Sequence, residues 1–218
     1  MKQNYFEPTW SSIKQHQTPN WFKKAKFGIY AHWGIYSVPA AGPNVTWYPY
    51  WMYRPPSPQF DYHCKHYGHP SKFGYKDFIP MFTAEKFNAD EWADLYYRSG
   101  AKFAGPVAEH HDGFPMWNCS DTEWCASKMG PKRDIVGELA KAIRNKGMKY
   151  MVAMHHAENW FFFPHWNNDF DTSKKEYQSL YGELHNLDLI GNQAVYPDHW
   201  GRKNEHQDKP SKAFHDRW

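Results

Sequence analysis

Three apolar segments of this chain have the length and composition of buried strands. They are KFGIYAHWGIYS at 26–37, AKFAGPVAEHH at 101–111 and MKYMVAMHHAENW at 148–160. In each segment an apolar run comes first and polar residues follow, which is typical of a strand that crosses a core and ends at its surface. Gly105 and Pro106 are unusual inside the second segment, because proline cannot donate to a strand ladder.

Two amphipathic segments lie between these strands, and both carry helix-boundary signals. In the first, Asn88 is a good N-cap, Glu91 follows three residues later as in a capping box, and Gly100 is a suitable end. The second runs from about 134 to 145 and stops before Gly147. The predicted apolar stripes are Trp92, Leu95 and Tyr96 in the first helix, and Ile135, Val136, Leu139 and Ile143 in the second.

The rest of the chain is predicted to be mostly irregular. Residues 1–20 form a polar lead-in. Residues 39–75 form a long loop rich in Pro, Tyr and Trp, and a loop of this length is usually functional. Residues 161–209 are mostly loop, and 209–218 have the pattern of the beginning of a third helix.

The alternation of strands and helices predicts an α/β fold with parallel strands and helical crossovers. We expect residues 21–218 to form one truncated domain, a partial TIM-type (β/α) barrel. Polar residues follow each strand at its carboxyl end, which is the active face of such a barrel. They are His32 after the first strand, His110 and His111 after the second, and His155, His156 and Glu158 after the third. A single histidine is as often structural as functional, but the set indicates a site.

Charge and composition argue against several classes of protein. The net charge is +3 and no run of Lys or Arg concentrates it, so nucleic acid is not an expected partner. No apolar stretch reaches 18 residues and the N-terminus lacks an apolar signal region, so no membrane association is expected. Cys64, Cys119 and Cys125 match no zinc pattern and fit reduced thiols, which favours a cytoplasmic location.

Aromatic residues make up 19% of the chain, and many of them adjoin Pro, Gly or His. Aromatic faces in loops suit stacking on sugars or bases, and without a basic stripe a sugar is favoured. Histidine pairs also bind zinc, so a metal-dependent hydrolase using His110, His111, His155 and His156 is an alternative. The sequence contains no Gly-x-Ser-x-Gly motif, so a serine hydrolase is not indicated.

Five motifs follow one another from Trp21 onward: WFKKAKFGIYAHWGIYSVPA, TWY, FTAEKFNADEWADLYYRSGAK, EHHDGFPMW and RDIVGELAKAIRNKGMKY. Together they resemble the α-L-fucosidases of glycoside hydrolase family 29. The resemblance implies a (β/α) barrel, a retaining double displacement without a cofactor, and fucosylated glycans or aryl fucosides as partners. A fucose- or glycan-binding module without catalysis is the alternative.

The same resemblance suggests roles for individual residues. His32, His110 and His111 match histidines that bind fucose hydroxyls, and Trp47 matches a tryptophan near the sugar. The family usually has Glu where this chain has Thr46, which removes one expected hydroxyl contact.

The third strand departs further from the family, which often has tyrosine where this chain has the pair His155 and His156. Glu158 and Trp160 lie just beyond this pair and are expected to line the pocket. The candidate substrate-binding residues are therefore His32, Trp47, His110, His111, His156, Glu158 and Trp160, and no metal ligand is expected.

The end of the sequence also differs from the family pattern. The family's nucleophile is an Asp on the strand after the helix predicted to begin in 209–218, and its general acid lies later still. We therefore interpret the chain as truncated, with an unknown catalytic pair and slow or absent hydrolysis. Three strands of a barrel leave apolar faces uncovered, so a homo-oligomer is expected.

Overall fold

The computed structural model describes residues 6–185 and 210–217, which contain a parallel sheet. Its strands are β1 (Gly28–Ala31), β2 (Phe103–Glu109), β3 (Lys149–Tyr150) and β4 (Ala153–Met154). β2 is central, with β1 on one side and both β3 and β4 on the other, and every pairing is parallel. The predicted α/β class with parallel strands is confirmed, while the sheet formed by these residues is open.

Helices connect and cover the strands. In chain order they are α1 (Trp10–Ile13), α2 (Asn20–Ala25), α3 (Tyr48–Trp51), α4 (Pro58–His66), α5 (Ala89–Arg98), α6 (Ile135–Asn145), α7 (Asn159–Phe162), α8 (Gln178–Tyr181) and α9 (Lys212–Arg217). α5 precedes β2 and α6 precedes β3, so both crossovers contain their predicted helix. None of these helices, in the part of the chain described, combines the length and apolarity needed to cross a membrane.

The boundaries of α5 and α6 follow from their capping residues. Asn88 caps α5, because its Oδ1 accepts a hydrogen bond from the backbone N–H of Glu91 at 3.2 Å. Asp134 caps α6 in the same way, because its side chain accepts a hydrogen bond from the backbone N–H of Gly137 in the first turn. Beyond the two helices, Gly100 and Gly147 adopt φ angles of 88° and 75°, a region that glycine reaches without steric cost.

The two long helices pack on each other and α6 packs against β2. The buried side chains are Ala89, Ala93 and Tyr96 from α5, and Ile135, Leu139, Ala140, Ala142 and Ile143 from α6. The predicted stripe of α5 was wrong at Leu95, which is 56% exposed. Ala89, Ala93 and Tyr96 recur at helical spacing on one face, and Leu95 lies outside that face.

The predicted loop 39–75 was wrong as a continuous loop, since it contains α3 and α4. Ser57 caps α4 by accepting a hydrogen bond from the N–H of Phe60 at 3.0 Å, and Pro58 occupies the first turn. Tyr53 from this segment packs on Phe163, which follows β4, with ring centroids 6.1 Å apart. The segments after β1 and β4 thus share one aromatic layer, which borders the carboxyl ends of the strands.

The predicted third strand, 148–160, is divided into β3 and β4 by Met151 and Val152. The break lies beside Gly105 and Pro106 of β2. A Cβ atom on Gly105 would lie 1.6 Å from the backbone oxygen of Met151, so only glycine allows this approach. β4 then pairs with β2 through Val107 and Glu109, with a register irregularity between them.

The sheet has apolar side chains that reach solvent. Tyr30 is 51% exposed, and Val152 and Met154 are each 43% exposed. Most of β2 is buried, because α6 packs against it and β1, β3 and β4 pair with it. The exposed residues therefore lie at the edges of the sheet, in or next to β1 and β4.

Candidate functional site

Four histidines meet where β1, β2 and β4 end. His32 directly follows β1, His110 and His111 directly follow β2, and His155 directly follows β4. Because parallel strands end at the same edge of a sheet, their carboxyl ends bring these residues together. We call His32, His110, His111 and His155 the histidine cluster.

The rings of the histidine cluster are in mutual contact. The His155 ring is stacked on that of His32, with centroids 5.4 Å apart and planes inclined by 20°. It also lies 5.2 Å from the ring of His110 and 5.1 Å from that of His111. His110 and His111 are themselves 4.6 Å apart. His110 also lies 5.6 Å from His32, so His110 and His155 each contact all the other members.

Backbone hydrogen bonds fix the position of the cluster. The backbone N–H of His155 donates to the backbone oxygen of Glu109 at 2.9 Å. Nδ1 of His111 donates to the backbone oxygen of His155 at 2.6 Å. The amide of Asn159 donates to the backbone oxygen of His111 at 2.9 Å. These bonds link the end of β2 to the end of β4 on both sides of the cluster.

Aromatic rings border the histidine cluster on one side. Trp47 is half-buried, and its ring lies 5.3 Å from that of His111. Phe162 contacts both His111 and Trp47, at 5.3 and 5.2 Å. Tyr36 packs on His110 at 5.1 Å. An apolar wall beside polar nitrogens is the usual composition of a site for a small ligand.

The electrostatic environment keeps three members of the cluster, His32, His110 and His155, neutral at pH 7. Burial, followed by the charges of His111, His155 and His32, lowers the pKa of His110 to about 2. Burial, and then His155, lowers the pKa of His32, the most exposed member. Burial also lowers the pKa of His155, although Glu158 opposes this effect. A neutral imidazole has one donor and one acceptor nitrogen, which suits a hydroxyl group.

Two nitrogens of the cluster are buried without a hydrogen-bond partner among the described protein atoms. They are Nδ1 of His110 and Nε2 of His155. A buried polar atom without a partner costs about 1–3 kcal/mol, so a polar ligand that reaches these atoms recovers that energy. The cluster therefore has unused hydrogen-bonding capacity.

Asp112 lies next to the cluster in sequence but serves the loop after β2. Its carboxylate accepts hydrogen bonds from the hydroxyl of Tyr75 at 2.7 Å and from the N–H of Phe114 at 3.2 Å. Burial is the main cause that raises its pKa to about 7. These hydrogen bonds hold the loop after β2 in place.

The structure corrects the sequence analysis at His156, which lies outside the cluster. Its Nδ1 is 2.5 Å from a carboxylate oxygen of Glu109, and its ring is stacked on Phe214 of α9 at 5.1 Å. β4 ends at Met154 and a 3₁₀ turn begins at His156, so the side chains of His155 and His156 leave the backbone in different directions. The structure places His155 in the cluster.

Trp160 is also separate from the cluster. It is 3% exposed and packs on Phe161 and His185, at 4.6 and 4.3 Å. Glu158 does approach the cluster, with a carboxylate oxygen 3.9 Å from Nε2 of His111. Sequence reasoning missed Tyr36 and Phe162, whose only signal was the clustering of aromatic residues in the segments after β1 and β4.

Within residues 6–185 and 210–217, no three His, Cys, Asp or Glu side chains are grouped so that they could hold a metal ion. His156 is turned toward Glu109, so the four histidines of the metal-dependent alternative do not converge. That alternative has no ligand set in this part of the chain.

Comparison with known proteins gives a consistent result. A sequence profile of the family described as Alpha-L-fucosidase matches residues 1–216. Plasma alpha-L-fucosidase of Homo sapiens is 46% identical over 65% of this chain and 30% of its own length. Tissue alpha-L-fucosidase of Homo sapiens is 34% identical over 98% of this chain and 49% of its own length. The chain therefore spans between about a third and a half of these relatives.

A solved structure agrees in fold. The Thermotoga maritima alpha-fucosidase in complex with fucose has a TM-score of 0.65 and 44% sequence identity to this chain. The similarity covers 69% of this chain and 37% of the other.

Proposed function

Because this chain belongs to the α-L-fucosidase family, we propose that it carries the fucose-binding part of an α-L-fucosidase-type glycoside hydrolase. The observation that supports the proposal best is the histidine cluster, in which neutral imidazoles from three strand ends meet beside Trp47. The expected ligands are terminal α-L-fucose on glycans and aryl α-L-fucosides.

The chemistry of the cluster fits a sugar better than an ion. Three of its members have lowered pKa values and are neutral at pH 7, so they do not attract an anion strongly. Hydroxyl groups both donate and accept hydrogen bonds, as neutral imidazoles do. The half-buried ring of Trp47, which packs on the buried ring of Phe162, provides the apolar surface that a sugar ring and its methyl group require.

We further propose that the sheet is part of a TIM-type (β/α) barrel. Parallel strands alternate with helices, and the candidate site lies at the carboxyl ends of the strands. Both features are general to barrel enzymes, and the open sheet of the described residues is compatible with one arc of such a barrel.

The proposal gives no catalytic role to the carboxylates near the cluster. A retaining glycosidase needs two carboxyl groups about 5–5.5 Å apart, as nucleophile and acid/base. Glu109 is bound to His156, and Asp112 accepts hydrogen bonds from Tyr75 and Phe114. The residues of the cluster are therefore proposed for sugar binding only.

Calorimetric titration with L-fucose tests the proposal. His32→Ala and His110→Ala are each expected to weaken binding by about 1–3 kcal/mol, because a partner of a ligand hydroxyl is lost. His66→Ala is the control, since His66 is exposed and lies on α4. Equal affinity for fucose in wild type and both cluster variants would reject the assignment.

Release of nitrophenol from an aryl α-L-fucoside separates the alternatives. Turnover supports the glycosidase, and fucose binding without turnover supports a glycan-binding module. Activity that a chelator removes and Zn²⁺ restores would instead support the metal-dependent hydrolase.

We also propose that copies of the chain associate through the edge of the sheet. Tyr30, Val152 and Met154 expose large apolar side chains in or next to β1 and β4. Covering the exposed half of one such side chain contributes roughly 0.7–1.5 kcal/mol to a complex, so self-association through this surface is favoured.

A further inference from the structure

A carboxylate at the rim of the histidine cluster has a specific relation to one imidazole. Glu158 follows β4 by four residues, and its side chain is 43% exposed. One of its oxygens lies 3.9 Å from Nε2 of His111. Its negative charge also acts on His155. Glu158 therefore faces the cluster from the solvent side.

The other ring nitrogen of His111 has a defined role. Nδ1 lies 2.6 Å from the backbone oxygen of His155, and a carbonyl oxygen can only accept. Nδ1 therefore carries a proton, and Nε2 is the nitrogen that faces Glu158. A distance of 3.9 Å is too long for a direct hydrogen bond. It is compatible with a third atom, an oxygen about 2.8 Å from each of the two groups.

The chemistry of this gap selects a hydroxyl group. A carboxylate accepts hydrogen bonds only, and its charge favours the protonated form of a nearby imidazole. Protonated His111 offers Nε2–H as a donor. The gap then presents one acceptor and one donor at the same point. A hydroxyl is complementary to both, because it donates to the carboxylate and accepts from Nε2–H.

The other charged and titratable groups nearby do not duplicate this arrangement. Burial lowers the pKa of three members of the cluster, so they are neutral at pH 7; they are His32, His110 and His155. Glu158 lies within 3.9 Å of a ring nitrogen of the fourth member, His111. Glu109 and Asp112 point to His156 and to Tyr75, which lie outside the cluster. Glu158 thus makes one member of the cluster different from the other three.

We propose that Glu158 and His111 together hold one hydroxyl group of the sugar, with Glu158 as the acceptor and His111 as the donor. The inference rests on the proposed function, because it takes a fucose-like sugar as the ligand. It makes Glu158 a specificity-determining residue, since a sugar without that hydroxyl forms neither of these two hydrogen bonds.

The test is calorimetry at pH 6.5 on wild type and Glu158→Gln, with L-fucose and with each of its monodeoxy analogues. Glu158→Gln is expected to bind L-fucose about tenfold or more weakly, because a charge-assisted hydrogen bond is lost. For one monodeoxy analogue, wild type and Glu158→Gln are expected to have equal affinity. Glu85→Gln, at an exposed position away from the cluster, is the matched control and is expected to stay within twofold of wild type.

The outcomes distinguish this inference from the proposed function. If wild type binds L-fucose and Glu158→Gln binds it within twofold, the role of Glu158 is wrong and the fucose site stands. If the loss in Glu158→Gln is the same for every monodeoxy analogue, Glu158 does not contact a hydroxyl, and the inference is wrong. If wild type binds no fucose, the proposed function fails, and this inference fails with it.

A second measurement follows the His111 ring without a sugar. Proton NMR of the imidazole, assigned with His111→Asn, is expected to show the His111 titration at lower pH in Glu158→Gln than in wild type. An unchanged titration would show that the carboxylate does not act on His111, and would overturn the pairing independently of any ligand.

Discussion

His110 offers the sharpest test of the electrostatics of the site. It is 4% exposed and in contact with the rings of His32, His111 and His155. Burial first, and then these neighbours, lower its pKa from the ordinary 6.5 to about 2. The substitution His110→Gln keeps a neutral polar side chain and removes the titration.

The size of the effect follows from the linkage between protons and folding. Since the folded-state pKa lies below the unfolded value, the unfolded chain binds the proton first as the pH falls. The resulting loss of stability begins near pH 6.5 and approaches about 1.4 kcal/mol for each further pH unit. Between pH 7 and pH 5, wild type is expected to lose about 2 kcal/mol relative to His110→Gln.

Urea unfolding followed by tryptophan fluorescence at pH 7, 6 and 5 measures this difference. Comparing the two proteins at each pH cancels the contributions of other titrating groups. His66→Gln is the control for the same substitution at an exposed position. If the difference between wild type and His110→Gln changes by less than about 0.5 kcal/mol from pH 7 to pH 5, His110 titrates as an ordinary histidine and the reasoning fails.

Three further predictions concern other parts of the fold. Asp112 has a pKa raised to about 7, so the folded state binds its proton before the unfolded state does and gains stability as the pH falls from 7 toward 4. Asp112→Asn lacks this gain and should therefore lose stability more steeply than wild type over that range in the same urea assay. Leu139→Ala should lower the free energy of unfolding by about 2–5 kcal/mol, whereas Leu95→Ala, at an exposed position of α5, should change it by less than about 0.5 kcal/mol. Val152→Lys should shift the mass measured by light scattering from oligomer to monomer, and a wild type that is already monomeric at micromolar concentration would contradict the proposed association.

The order of elements could be predicted from sequence because local signals and the hydrophobic pattern agree. α5 and α6 begin at the capping residues Asn88 and Asp134, and a positive-φ glycine follows each of them. The ends of both helices depend on residues only a few positions away in the sequence, so they can be predicted without knowledge of the fold. α4 carried a similar signal in Ser57 and Pro58, which the proline-rich and aromatic surroundings obscured.

The side chains of the site were predictable as a group but not individually. That histidines gather at one edge follows from parallel strands alone. Whether His155 or His156 faces the cluster depends on where β4 ends and the turn at His156–Glu158 begins, and β4 starts only after the break at Met151 and Val152. The break in turn depends on a contact with Gly105 in a different strand, which no local pattern contains.

The shortness of β4 has a consequence for hydrogen exchange. β4 has two residues and β2 has seven, so the end of β4 can open without unfolding of the sheet. Amide protons at 153–155 should then exchange with solvent much faster than those of β2. Because the backbone of His155 joins β2 through its N–H and holds His111 through its oxygen, such an opening releases two imidazoles at once. A bound sugar that contacts both should slow exchange at 153–155 more than anywhere in β2, which would make this segment the most direct spectroscopic reporter of occupancy.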